Sequence, residues 1–153
     1  MARPSRAELI LRLQTDVAET VADAVALQQA IADRLELSAS ELRAVTLLMR
    51  VGTATAGEIA EASDLTTGAA TRLIDRLEST GWLVRQADVT DRRRVLLQLR
   101  KTRRAQLGEL YAIMSASWTD ALADKSDDEL ASVLQLFDRM RAVAREHTAS
   151  LRG

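Results

Sequence analysis

The sequence predicts a mostly α-helical fold with one small β-hairpin near its middle. Three observations carry that expectation. Only one Pro and six Gly occur among 153 residues, so long helices can run without a breaker. Apolar residues recur at helical spacing near both ends of the chain, and between Trp82 and Leu99 the period shifts to short β-prone runs. Hydrophobic residues make up 47% and charged residues 28%, the balance of a folded globular protein rather than a disordered one.

The first helix is expected from about Ser5 to Leu35, with Ile10, Leu13, Val17, Val21, Ala24, Leu27, Ile31 and Leu35 on one stripe. A stripe of about thirty residues is long for a globular helix, and it needs a partner surface that a second chain could supply. Ser38-Ala39-Ser40-Glu41 has capping-box spacing, and the helix behind it should bury Leu42, Val45, Leu48 and Met49 before stopping near Gly52. Thr55-Ala56-Gly57-Glu58 repeats the signal and opens a short helix with Ile59 and Ala60 inward, ending near Ser63.

After Asp64-Leu65, Thr66 or Thr67 caps a helix that runs to Thr80, with Gly81 as its stop. At about 100° per residue, Ala70, Leu73, Ile74 and Leu77 share one side. Gly68, Thr71, Arg72, Asp75, Arg76 and Ser79 lie on or towards the other. Trp82–Gln86 and Val95–Leu99 then read as two strands, with Asp88 to Arg94 as a polar, basic tip and Trp82 as a core anchor. Two helices close the chain. One begins near Thr102 with Leu107, Leu110, Tyr111, Met114, Trp118 and Leu122 on a stripe. The other is capped at Ser126 and should bury Leu130, Val133, Leu134, Phe137 and Met140.

Net charge is −1, but the charge is unevenly placed. Residues 66–104 hold ten basic and four acidic side chains, 10 − 4 = +6, while the rest of the chain holds eleven basic and eighteen acidic, 11 − 18 = −7. A basic middle between acidic flanks is the outline of a polyanion-binding segment. With no Cys, disulfides and thiolate metal sites are excluded. His147 stands without the companions a zinc site needs, and no cofactor or metal is expected. No phosphate loop, nucleophile elbow or zinc-hydrolase helix occurs, so the chain is not expected to be an enzyme. No run has the length of a membrane span or the layout of a signal peptide, and a cytoplasmic location is expected.

Two short helices, a tight turn, a polar-faced helix and a basic hairpin make a winged helix-turn-helix in order. Such a helix fits the major groove of duplex DNA, where base edges display a readable pattern. Its N-terminal end favours phosphate, and small residues there let the backbone approach. Basic side chains of the hairpin suit the backbone or a narrow minor groove.

The sequence resembles the MarR family of regulators. The resemblance is carried by Gly57-Glu58-Ile59-Ala60, Thr71-Arg72-Leu73-Ile74-Asp75-Arg76-Leu77-Glu78, Gly81-Trp82-Leu83-Val84-Arg85 and Asp91-Arg92-Arg93, in the family's order and near its spacing. It implies a single domain over 1–153, with 38–100 as the DNA-binding lobe and 1–36 and 102–153 as dimerisation helices. It further implies a homodimer on a pseudo-palindromic double-stranded operator, acting as a repressor, with small aromatic effectors causing release.

Carried over by position, Thr67, Gly68, Ala69, Thr71, Arg72 and Arg76 form the groove-facing part of the recognition helix. Asp91, Arg92, Arg93 and Arg94 form the wing contact, the acid orienting one Arg while another enters the minor groove. Arg72 and Arg76 also admit the plainer reading of solvated helix charge paired with Asp75 or Glu78. Tyr111, Trp118 and Phe137 sit at core spacing, so packing is favoured for them over effector contact. The wing lacks the Pro that commonly precedes its acid, and Arg100-Lys101-Thr102-Arg103 adds positive charge where the family tends towards Leu-Thr and a later Gly. The alternative from another class is a winged-helix adaptor that grips a protein partner and leaves DNA alone.

Overall fold

The computed structural model describes residues 4–88, 91 and 94–152. Its elements follow in the order α1 (Arg6–Arg34), α2 (Ala39–Val51), β1 (Thr53–Ala54), α3 (Ala56–Ser63), α4 (Thr67–Ser79), β2 (Leu83–Ala87), β3 (Val95–Leu99), α5 (Lys101–Ala121) and α6 (Asp127–Arg152). The chain forms two compact units, the first reaching Leu107 and the second beginning at Gly108.

Helix starts follow the capping signals closely. Ser5, Ser38 and Thr55 each accept from the amide three residues on, and the Glu at that position reaches back to the cap amide. Ser126 and Glu129 make the same reciprocal pair before α6. Of the two candidates for α4, Thr66 is the cap, and its hydroxyl accepts from Ala69 N at 3.4 Å. Gly81 stops α4 with φ +75°, a left-handed turn that L side chains rarely adopt. The turn lets the amide of Trp82 donate to Leu77 O at 2.8 Å, so the strand leaves in a defined direction.

The hairpin pairs antiparallel from Leu83 opposite Leu99 to Ala87 opposite Val95, so β2 starts one residue later than the sequence suggests. A strand that the sequence did not announce lies on its other side. Thr53 and Ala54 pair with Gln98 and Leu97, giving a three-stranded sheet in the order β1-β3-β2. Two residues are too few to show an alternation, which is why this strand escapes a periodicity reading. It pairs the edge of β3 that β2 leaves open, so β3 is the central strand.

The core of the first unit is formed by Leu42, Val45 and Leu48 of α2, Ile59 of α3, and Ala70, Leu73, Ile74 and Leu77 of α4, with Leu83, Leu97, Leu99 and Leu107. Met49 is half-buried. Trp82 is 2% exposed and does anchor the base of the hairpin. Along α1, Ile31 and Leu35 are buried, whereas Ile10, Leu13, Val21 and Leu27 are exposed in the single chain.

The second unit departs further from expectation. Val133, Leu134 and Phe137 of α6 are exposed rather than buried, and Trp118 of α5 is 62% exposed. Helical spacing shows that a face is apolar; it does not say which surface covers that face. None of the described helices is long and apolar enough to cross a membrane.

Candidate nucleic-acid interface

The candidate interface centres on α4. With Ala70, Leu73, Ile74 and Leu77 packed inward, the opposite face presents Thr67, Gly68, Thr71 and Arg72 to solvent, and Ala69 lies half-buried at its margin. Helical side chains lean towards the N-terminus. Arg72 does so: a Cβ placed on Gly68 would lie 3.9 Å from its Nη1, so the guanidinium lies back over the first turn. Thr71 turns its hydroxyl inward, donating to Thr67 O at 3.0 Å. Unlike α1, α2, α3 and α6, α4 has no acid in its first turn. Its positive helix end and Arg72 therefore stand together, with no acid in that first turn to offset them.

Arg76 is placed differently. At about 100° per residue it stands roughly 60° from Leu73, at the margin of the polar face. From there its Nε lies 3.1 Å from Glu41 Oε1 of α2, with the Arg76 side chain 60% exposed and the Glu41 side chain 4% exposed. The second oxygen of Glu41 accepts from Ser38 N at 2.7 Å. One buried carboxylate thus completes the cap of α2 and tethers the far half of α4. The capping box announced Glu41, but only as a cap.

Asp75 and Glu78, which the sequence offered as partners for Arg72 and Arg76, go to neither. Both are held by Arg85 of β2, which reaches Asp75 Oδ1 at 2.6 Å and also pairs with Glu78. The hydrogen bond to Asp75, with the nearby charges of Glu78 and Asp75, raises the Arg85 guanidinium pKa against its desolvation. The clamp ties the first wing strand to the outer face of α4 and offsets one of the two negative charges there. No local pattern could reveal it, because the left-handed turn at Gly81 brings the three side chains together.

The wing tip is organised by an acid that the sequence reading did not single out. Asp88 N donates to Arg94 O at 3.0 Å, and Arg94 N donates to Asp91 O at 2.9 Å. Asp88 Oδ1 accepts from Asp91 N at 3.4 Å, and its Oδ2 lies 4.0 Å from Arg94 Nη1. The Asp88 side chain is 12% exposed, while Asp91 and Arg94 are exposed. An Asp bonding a following amide is a common turn device, and the spacing of Asp88 and Asp91 was the available signal. Arg92 and Arg93 lie outside the described residues.

Glu58, capping α3, has its pKa held below the usual glutamate range. The Thr55 amide is the main cause, the Thr55 hydroxyl adds to it, and the positive charge of Arg94 contributes a smaller share. Arg94 therefore stands within electrostatic reach of the start of α3. Arg43 joins α2 to α3 by donating to Ser40 Oγ at 3.0 Å and Ser63 O at 3.2 Å. Among the described residues no group of three or more His, Asp or Glu is arranged to hold a metal.

The MarR family model matches residues 37–95, the stretch from the start of the second helix to the second wing strand. A relative from Bacillus subtilis (strain 168), the uncharacterized HTH-type transcriptional regulator YcgE, is 30% identical over 128 residues, covering 84% of this chain and 83% of its own. Streptococcus pneumoniae FabT, solved in complex with DNA, matches at a TM-score of 0.71 and 16% identity, over 90% of this chain and 98% of its own. A MarR family protein from Bacillus stearothermophilus matches at 0.64 and 20% identity, over 95% of this chain and 99% of its own. The two structures share the fold, the closer sequence relative carries the assignment, and the chain belongs to the MarR family of DNA-binding transcriptional regulators.

Proposed function

We propose that this regulator is a homodimeric repressor that reads a pseudo-palindromic operator with α4 in the major groove and the hairpin beside it. The observation that carries the reading is the uncovered N-terminal half of α4, where Thr67, Gly68, Thr71 and Arg72 share an exposed face whose first turn holds no acid. Ala69 contributes backbone approach at the margin, and Asp91, Arg92, Arg93 and Arg94 supply the wing contact. Arg76 acts mainly through Glu41, by setting the angle of the helix, and reaches phosphate at most from the rim. The DNA complex of the fold neighbour FabT supports the placement of such a lobe on duplex DNA.

Residues 38–100 form the reading lobe, and residues 1–36 and 102–153 join the two copies. Support comes from the apolar side chains each segment leaves exposed: Leu9, Ile10, Leu13, Val21 and Leu27 in α1, and Val133, Leu134 and Phe137 in α6. Exposed apolar area on this scale is covered in stable proteins, and a second copy is the economical cover. The protein acts in the cytoplasm. Repression follows from occupying promoter DNA.

Relief follows when a small aromatic effector favours a spacing of lobes that misses half-sites about 34 Å apart. A cavity of about 370 Å³ between α1 and α2, walled by Val21, Ala24, Val25 and Leu42 with Gln28 and Arg43 at its edge, suits such a ligand.

Selection of bound duplexes from a random pool tests the whole reading. A pseudo-palindrome with half-sites about one helical turn apart is the expected product. Failure to retain any duplex at low salt would instead favour the protein-adaptor role.

A further inference from the structure

We propose that a second cleft, on the side of α4 away from its first turn, binds a small polyanion carrying phosphate or paired carboxylate groups. The cleft has a volume of about 560 Å³ and is lined by Arg34 and Glu36 at the end of α1, Arg76 and Thr80 at the end of α4, and Arg103 and Gln106 at the start of α5. All lie in the first compact unit. The size is that of a metabolite site.

Its charge is the informative feature. Three guanidiniums face one wall carboxylate, Glu36, and Glu41 behind the wall pairs with Arg76, so 3 − 2 = +1 is left unmatched at the cleft. Gathering like charges in a cleft costs energy unless something compensates them. The helix ends nearby do not need the arginines. The amide of Leu37 closes on Ala32 O at 2.9 Å, and that of Trp82 closes on Leu77 O at 2.8 Å. Among the described residues, none of the three guanidiniums is bonded to a main-chain oxygen, and Arg34 has no acid within ion-pair distance.

Two of the arginines are held in place beforehand. Arg76 is fixed by Glu41 at 3.1 Å. Arg103 lies over the Trp82 ring at 4.5 Å from its centroid and donates to Gln106 Oε1 at 3.0 Å. Planar forks positioned in advance match the oxygen pairs of phosphate and carboxylate, and little freedom is lost on binding. A ligand bridging Arg34, Arg76 and Arg103 would join α1, α4 and α5 and restrict the tilt of α4. That regulatory consequence, unlike the binding itself, rests on α4 being the DNA-contact helix.

The stack of Arg103 on Trp82 supplies the assay. The chain has two Trp residues, and Trp118→Phe leaves Trp82 as the sole indole reporter. In that background pyrophosphate and citrate are titrated separately at constant ionic strength, with chloride as control. A saturable change in Trp82 emission with either is expected, and the anion that binds more tightly distinguishes phosphate from carboxylate. Arg34→Gln should raise the half-saturating concentration about tenfold, one charge-assisted contact, and Arg34→Gln with Arg103→Gln should abolish the change. Arg72→Ala, on the other face, should leave the titration as it was.

No saturable change with either anion, the same curve in Arg34→Gln, or loss of the signal in Arg72→Ala overturns the proposal. So does a flattened salt dependence of DNA binding in Arg34→Gln, which would make the cleft part of the DNA face. Since the primary readout contains no DNA, a negative titration leaves the operator reading intact.

Discussion

Replacing Glu41 by Ala probes how α2 and α4 are held together. The side chain is buried and makes two polar contacts, one with Ser38 N at 2.7 Å and one with Arg76 Nε at 3.1 Å. Loss of a charge-assisted bond to a cap amide costs about 1.5–2 kcal/mol. The ion pair is worth less, because Arg76 is largely exposed and water screens it, so about 0.5–1 kcal/mol is the reasonable share. Glu41→Ala should therefore cost about 2–3 kcal/mol in urea unfolding.

At about 2–4 °C per kcal/mol for a chain of this size, the same change lowers Tm by roughly 4–12 °C. Glu41→Gln keeps an acceptor for the cap and removes only the charge, so it should cost about 1 kcal/mol. Both are measured at one protein concentration, so that any self-association is held constant. A Glu41→Ala protein within about 0.5 kcal/mol of the parent, or a Gln variant as costly as the Ala one, would refute the dual role.

Three further outcomes are expected. Arg72→Ala should reduce the salt slope of operator binding by about one unit, whereas Arg85→Met should weaken binding without changing the slope, since Asp75 and Glu78 already neutralise it. Equal slopes in the two variants would show that Arg72 makes no phosphate contact. Changing Arg92 and Arg93 together to Ala should flatten the slope by about 1.8 units, measured by anisotropy across a salt series; an unchanged slope removes the wing from the interface.

The cap carboxyls of Glu8, Glu58 and Glu129 are held below their ordinary value of 4.5 chiefly by the amides of Ser5, Thr55 and Ser126. Their folded pKa is depressed, so their stabilisation is full above the ordinary value of 4.5 and is lost as pH falls from there through the folded pKa. The triple Gln variant should lose less stability than the parent in an acid titration below pH 4.5. Parallel curves would remove these caps from the acid response.

Much of the fold was legible because its signals are local. A cap and its Glu lie three residues apart, a glycine stop is one residue, and an apolar stripe is a sum over successive turns of one helix. Ser5, Ser38, Thr55 and Ser126 therefore mark helix starts correctly, and Ala70, Leu73, Ile74 and Leu77 mark the inner face of α4. The exposed face of α4 was legible for the same reason, since it is the complement of that stripe.

Contacts between elements were not. Arg76 is 35 residues from Glu41 in sequence, and Arg85 meets Asp75 and Glu78 only after the chain reverses at Gly81. The sequence by itself determined where helices begin, which faces are apolar and where positive charge accumulates, because each depends on neighbours along the chain. Tertiary structure alone decided which charges are spent within the lobe and which stay free: Arg76 and Arg85 turn to carboxylates on other elements, while Arg72 remains over an acid-free helix end. The physical reason is that an ion pair requires proximity in space, and proximity is set by turn angles and packing that no single segment encodes.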